Sequence, residues 1–143
     1  MARNTRLAFA AVALIGLFTA APLFAEDSDH ADHHHQLIRI FEGRVRPAVQ
    51  TIGATDALGW LNYTSRIARV SFAKDVAKNL TCTSPGSFRI DGERLISGDI
   101  QATQFATLCN LAPGEYDYQV TLRSGIGVGQ GGEKTIDGKI VVQ

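Results

Sequence analysis

The stretch Pro-Gly-Glu-Tyr-Asp-Tyr-Gln-Val-Thr-Leu, residues 113–122, constrains the fold more than any other part of the chain. Large apolar side chains at Tyr116, Tyr118 and Val120 alternate with polar ones at Asp117, Gln119 and Thr121. Successive side chains of a β-strand point to opposite faces, so this period of two places the first set inward and the second outward. The same alternation runs through Trp60, Asn62 and Thr64 against Gly59, Leu61 and Tyr63. Trp60 is thereby assigned to the core as an anchor, in preference to a ligand platform.

From Gln36 onward the texture is uniform: short runs of Val, Ile, Phe, Tyr and Thr, interrupted by Gly, Pro, Asn and Asp. Strands are expected at 37–41, 48–52, 57–62, 68–72, 88–90, 116–122 and 139–142. Turn signals fall at Ser84-Pro85-Gly86, Asp91-Gly92, Pro113-Gly114 and Asp137-Gly138. One short helix is predicted over 74–80. The fold class is therefore all-β, a Greek-key β-sandwich of about seven strands with at most one short helix, forming one domain over 37–143.

The segment before it reads differently. Arg3 and Arg6 with no acid precede an apolar run from Leu7 to Phe24, which ends at Ala25 before Glu26 and Asp27. This is the pattern of a secretory signal peptide over 1–25, cut after Ala25, and it implies a periplasmic or secreted protein with no membrane span after removal. The 143 residues less those 25 leave 118, enough for one core. Loss of Arg3 and Arg6 leaves twelve basic residues against fourteen acids, a net charge of −2. Such a balance lacks the concentrated positive field that phosphates require, so nucleic acid is excluded as a partner.

Residues 26–36 are acidic and rich in histidine, with too little apolar surface to offset the entropy of ordering, and are expected to form a flexible tail. His30, His33, His34 and His35, interspersed with Asp27, Asp29 and Asp32, are the candidate metal ligands, for copper, nickel or zinc. Cys82 and Cys109 are the only cysteines. Secretion and the absence of a Cys-x-x-Cys spacing favour a structural disulfide over a redox or metal-binding thiol pair.

Enzymatic chemistry is poorly served. No histidine follows His35, so Ser-His-Asp or Cys-His catalysis lacks its usual base. Asp91, Glu93 and Asp99 lie among turn residues and are assigned to solvated loops. The glycine-rich run from Gly125 to Gly132 follows a strand, but neither a helix nor Gly-Lys-Ser/Thr comes after it, so it lacks the means of binding phosphate. It is assigned as a loop, available to a partner.

Taken in order, these segments resemble the cupredoxins. Val45-Arg46-Pro47 is similar to that family's early strand and proline, and Leu58-Gly59-Trp60-Leu61-Asn62 to its Val-x-Trp-x-Asn strand. Arg69-Val70-Ser71-Phe72 is similar to the return strand. Phe105 and Pro113 to Tyr118 resemble the late aromatic strand, Pro-Gly turn and Gly-x-Tyr-x-Tyr, and Gly138-Lys139-Ile140-Val141-Val142 the closing strand. The resemblance implies a sandwich that usually holds a type 1 copper ion. Its matching ligand positions are Ala68 for the first histidine and Val120 for the cysteine, and neither His nor Met follows Val120. No thiolate or imidazole stands there, so the resemblance implies a member lacking the type 1 copper ligands. Arg66 and Arg69 flank Ala68, and Arg44 and Arg46 are expected on a nearby loop, as solvated charge or a docking patch.

Three functions are consistent with this reading. The first is a non-enzymatic periplasmic protein that handles metal through its histidine tail or binds a periplasmic protein partner. The second is a metal-free structural or interaction module. The third, electron transfer through copper with non-standard ligands, requires a different alignment of the ligand positions.

Overall fold

The computed structural model describes residues 34–124 and 132–143. The expected signal peptide, most of the histidine tail and all of the glycine-rich run but Gly132 lie outside these residues. Among the described residues there are ten strands: β1 (His35–Phe41), β2 (Arg44–Arg46), β3 (Val49–Ile52), β4 (Ala57–Asn62), β5 (Ile67–Ala73), β6 (Phe88–Asp91), β7 (Arg94–Ser97), β8 (Phe105–Leu108), β9 (Gly114–Arg123) and β10 (Lys134–Val142). A four-stranded sheet in the order β2-β1-β4-β8 packs on a six-stranded sheet in the order β3-β10-β9-β5-β7-β6. Both sheets are mixed, with β1 parallel to β4 and β3 parallel to β10. The chain passes repeatedly from one sheet to the other, as a sandwich requires.

All seven expected strands are present, and three more accompany them among the described residues. The additional strands β2, β7 and β8 are three or four residues long, no longer than β3 and β6, and are fixed by pairing with β1, β6 and β4. Two of them arise from hairpins whose turns demand glycine. Gly43 (φ +95°) joins β1 to β2 and Gly92 (φ +58°) joins β6 to β7, each in a two-residue loop. The predicted helix over 74–80 is a 3-10 helix, Lys74–Asn79. Strand β1 begins at His35, two residues before the expected start, because pairing of His35 and Gln36 with Ala57 and Leu58 is made by backbone and is indifferent to side-chain polarity.

Alternation sorts the side chains as the sequence implies. Tyr116, Tyr118, Val120 and Leu122 face inward from β9, while Trp60 and Asn62 face inward from β4. Trp60 sits at the centre of the core, with its ring 5.5 Å from those of Phe88 and Tyr118 and 5.8 Å from that of Phe72. Tyr118 has Gly138 as its partner on β10, and a Cβ added at Gly138 would overlap the phenol. Burial pushes the Tyr118 hydroxyl up to about 12. Tyr116 instead donates its hydroxyl to the carbonyl of Ala112 at 2.8 Å, fastening the start of β9 to the preceding loop.

The two ends of the sandwich are built differently. At one end lie the start of β1 and β4 and the disulfide Cys82–Cys109. There Leu80 bridges Leu111, the Thr81 amide donates to Asn110, and the Ala112 amide donates to Asn79. The expected disulfide thus joins the connection before β6 to the connection after β8. The opposite end holds the Asn62 to Ile67 turn, Asp99 and Ile100, and the β9–β10 hairpin.

Candidate functional site

The second end is where the copper centre implied by the cupredoxin resemblance belongs. Ala68 lies near the start of β5, directly opposite Leu122, and exchanges backbone hydrogen bonds with Ile100 at 3.0 and 2.8 Å. Val120 lies between Val70 on β5 and Ile136 on β10. Ala68, Val70, Val120 and Leu122 are all fully buried. Their side chains offer hydrocarbon only, and they close the space in which a metal would need a thiolate and two imidazoles. The chemistry of a type 1 copper ion does not fit these residues. Among the described residues, no group of three His, Cys, Asp or Glu side chains could hold a metal ion.

The polar scaffold beside that position is intact. Asn62 is fully buried at the end of β4. Its Nδ2 donates to the carbonyls of Arg66 (2.7 Å) and Ile100 (2.8 Å), while Oδ1 accepts from the Thr64 amide (2.9 Å) and hydroxyl (2.8 Å). The side chain's hydrogen-bonding capacity is thereby used. It clamps the turn to the Ile100 segment across the sandwich. Asn62→Ala would orphan the Thr64 amide and leave the Ile100 carbonyl with the Ala68 amide alone, and is expected to lower the unfolding free energy by about 1–3 kcal/mol. Urea denaturation followed by tryptophan fluorescence measures this, and a loss below about 0.5 kcal/mol would contradict the clamp.

Outside this clamp, charges tie the same end together. Asp99 accepts from Arg69 at 2.6 Å and from Arg123 at 2.7 Å. Partial burial alone would raise its carboxyl, but hydrogen bonding and charge from Arg69, joined by Arg123, hold it below the ordinary value. Asp99, expected as a solvated loop residue, is therefore a link between β5 and β9. Arg66 donates to the carbonyl of Gly132, the described edge of the glycine-rich loop. Arg44 and Arg46, expected on a loop beside Arg69, instead form β2 in the other sheet and point away from this site.

Of the four candidate metal ligands, His30 and His33 lie outside the described residues. His34 and His35 are exposed at the start of β1, where the His34 carbonyl accepts from the Ala57 amide at 3.1 Å. Strand β1 runs from that end to the other, so the histidine segment joins the sandwich at the end opposite Ala68. His34 and His35 and the family's ligand positions are thus two separate places. What sequence reasoning missed is the role of Asn62; its place in the Trp-x-Asn segment was visible, but its four partners come from residues up to 38 positions away.

No family model matches the chain, and no curated protein matches it. Solved structures do. An oxidized amicyanin mutant superposes with a TM-score of 0.51 at 16% identity, covering 75% of this chain and 80% of that one. A reduced Cu(I) form of another amicyanin mutant gives 0.52 at 17% identity, covering 80% and 87%. The amicyanin from Paracoccus versutus gives 0.50 at 18% identity, covering 79% and 83%. At this identity the likeness speaks for the fold alone. Two mixed sheets, the Trp60 core and the superposition on amicyanin together give this chain a cupredoxin-like fold, with alanine and valine standing where the type 1 copper ligands of that fold are expected.

Proposed function

We propose that this chain is a periplasmic or secreted, non-enzymatic cupredoxin-like protein that acts by binding a protein partner on its surface, and that electron transfer at a type 1 copper centre is not its role. The observation that carries this reading is the complete burial of Ala68 and Val120 among Val70, Leu122 and Ile136. A frame that keeps its core and its Asn62 clamp while filling the ligand positions with hydrocarbon has its surface left as the functional element. The absence of any histidine after His35 supports a non-enzymatic role. The basic, apolar leader over 1–25 supports export.

Titration of Cu(I) and Cu(II) into the protein tests this reading. No intense visible thiolate-to-copper band is expected at any ratio, and its appearance would sink the reading. A second function is favoured by the position of His34 and His35 at the far end from Ala68: metal handling by His30, His33, His34 and His35 as a site independent of the fold's usual one. Calorimetric titration with copper, nickel and zinc should show binding that is lost when all four histidines become alanine. Binding that survives this change places the metal elsewhere.

A further inference from the structure

The outer face of the four-stranded sheet carries an arrangement that neither the core nor the copper position explains. Its strands read His-Gln-Leu-Ile-Arg-Ile-Phe, Arg-Val-Arg, Ala-Leu-Gly-Trp-Leu-Asn and Phe-Ala-Thr-Leu, and contain no aspartate or glutamate. Strand register sets the outward side chains in rows. Arg46, Arg39, Leu61 and Phe105 cross the sheet in one row, beside Leu37, Gly59 and Thr107 in the next. On the other side of the arginine row, Phe41 stacks on Tyr63 at 5.5 Å, and the Arg44 guanidinium lies 5.8 Å from the Phe41 ring centre.

Two features of this face are costly unless something covers it. Arg39 and Arg46 are directly opposite on paired strands, where like charges repel, and among the described residues neither has a carboxylate partner. Next to them Leu37, Gly59, Leu61, Phe105 and Thr107 line an apolar groove of about 250 Å³, and Phe105 is 66% exposed. The groove exists because position 59 has no side chain; a Cβ there would stand 3.3 Å from Leu37 Cδ1.

We infer that this face docks an extended acidic segment of a partner protein, with a carboxylate on Arg39 and Arg46 and a bulky apolar side chain in the Gly59 groove. Charge complementarity selects the occupant. A second copy on the same face would bring six guanidiniums together with no carboxylate between them. A bilayer is flat and presents nothing shaped for a groove of one side chain's size. The spacing also suits a peptide: Leu61 and Leu37 lie one strand and two residues from Arg39, about 5–7 Å, close to the separation of residues i and i+2 in an extended chain. Residues at that interval share a face, so the motif is an acid and an aromatic separated by one residue. The inference rests on the partner-binding function proposed above and names its surface.

The probe is a fluorescein-labelled Asp-Ser-Phe-Ser-Asp peptide, titrated with the full chain and read by fluorescence anisotropy. Its control is Asp-Phe-Ser-Ser-Asp, in which the aromatic ring is turned to the opposite face. The first peptide should bind saturably and the control about tenfold more weakly. The double variant Arg39→Glu, Arg46→Glu should weaken binding at least about tenfold and abolish its dependence on salt between about 0.05 and 0.5 M. Phe105→Ala and Gly59→Val, which dismantle or fill the groove, should each weaken it about three- to tenfold. The single variant Arg39→Glu guards against misreading unfolding as lost binding, because it converts a repulsive pair into an attractive one and should leave the thermal midpoint unchanged or higher. Equal binding of the two peptides, or binding indifferent to Arg39 and Arg46, would overturn the inference. So would tighter association with phosphatidylglycerol vesicles or a single-stranded oligonucleotide, or a dimer that dissociates on Phe105→Ala. The copper titration is read by absorption, so failure of this face and failure of the copper-free function are told apart.

Discussion

Trp60→Ala is expected to lower the unfolding free energy by about 3–5 kcal/mol, the largest single effect in this domain. Trp60 is fully buried and touches the rings of Phe72, Phe88 and Tyr118, which come from β5, β6 and β9 of the other sheet. Deleting it removes both its own transfer free energy and the surface against which the two sheets register, and a rigid aromatic cluster collapses only partly into the void. Because Trp60 is the only tryptophan, the comparison is made by urea denaturation with far-ultraviolet circular dichroism. Trp60→Phe is the control. It keeps a ring in place and removes an indole N–H that has no hydrogen-bond partner, so it should cost less than half as much. A loss under about 1 kcal/mol for the alanine variant would mean that this residue does not join the sheets.

Replacing both Cys82 and Cys109 by serine is expected to cost about 3–4 kcal/mol. The disulfide closes a loop with a sequence separation of 27, and its removal returns that loop's freedom to the unfolded chain. The folded geometry limits the loss. The Leu80 to Leu111 bridge and the Thr81 and Ala112 amide bonds hold the same two connections together, so the double variant should still fold. Thermal unfolding with and without dithiothreitol measures the effect: the parent should fall to the variant's midpoint on reduction, and the variant should not respond. Thiol titration of the unfolded, unreduced protein should find no free cysteine. Two reactive thiols would contradict the pairing.

The extent to which the fold could be read from the chain follows from the length of its elements. Strand β9 has ten residues, long enough for Tyr116, Tyr118 and Val120 to show a period of two. Strands β2, β7 and β8 have three or four, and a run such as Arg-Val-Arg carries no periodic signal. They are strands because neighbouring backbones offer hydrogen bonds, which is a property of the assembled sheet. The same distinction separates the functional residues. The lack of copper ligands was legible at Ala68 and Val120, since side-chain chemistry is local. Asp99 reads in sequence as a solvated loop residue and is an ion-pair link only because β5 and β9 bring Arg69 and Arg123 to it.

By itself the sequence determined an all-β sandwich, an apolar face for each long strand, a cysteine pair and the loss of a thiolate and two imidazoles at the expected metal position. These depend on alternation and on residue type, which the chain carries within a few neighbouring positions. Only the tertiary structure decided that Ala68 and Val120 are sealed in the core, that the histidine segment joins at the opposite end, and that Arg39 and Arg46 stand opposite each other beside an apolar groove. The reason is register: which residues of separate strands become neighbours is set by backbone pairing and by the closing of two sheets on one core, and no short stretch of sequence contains that information.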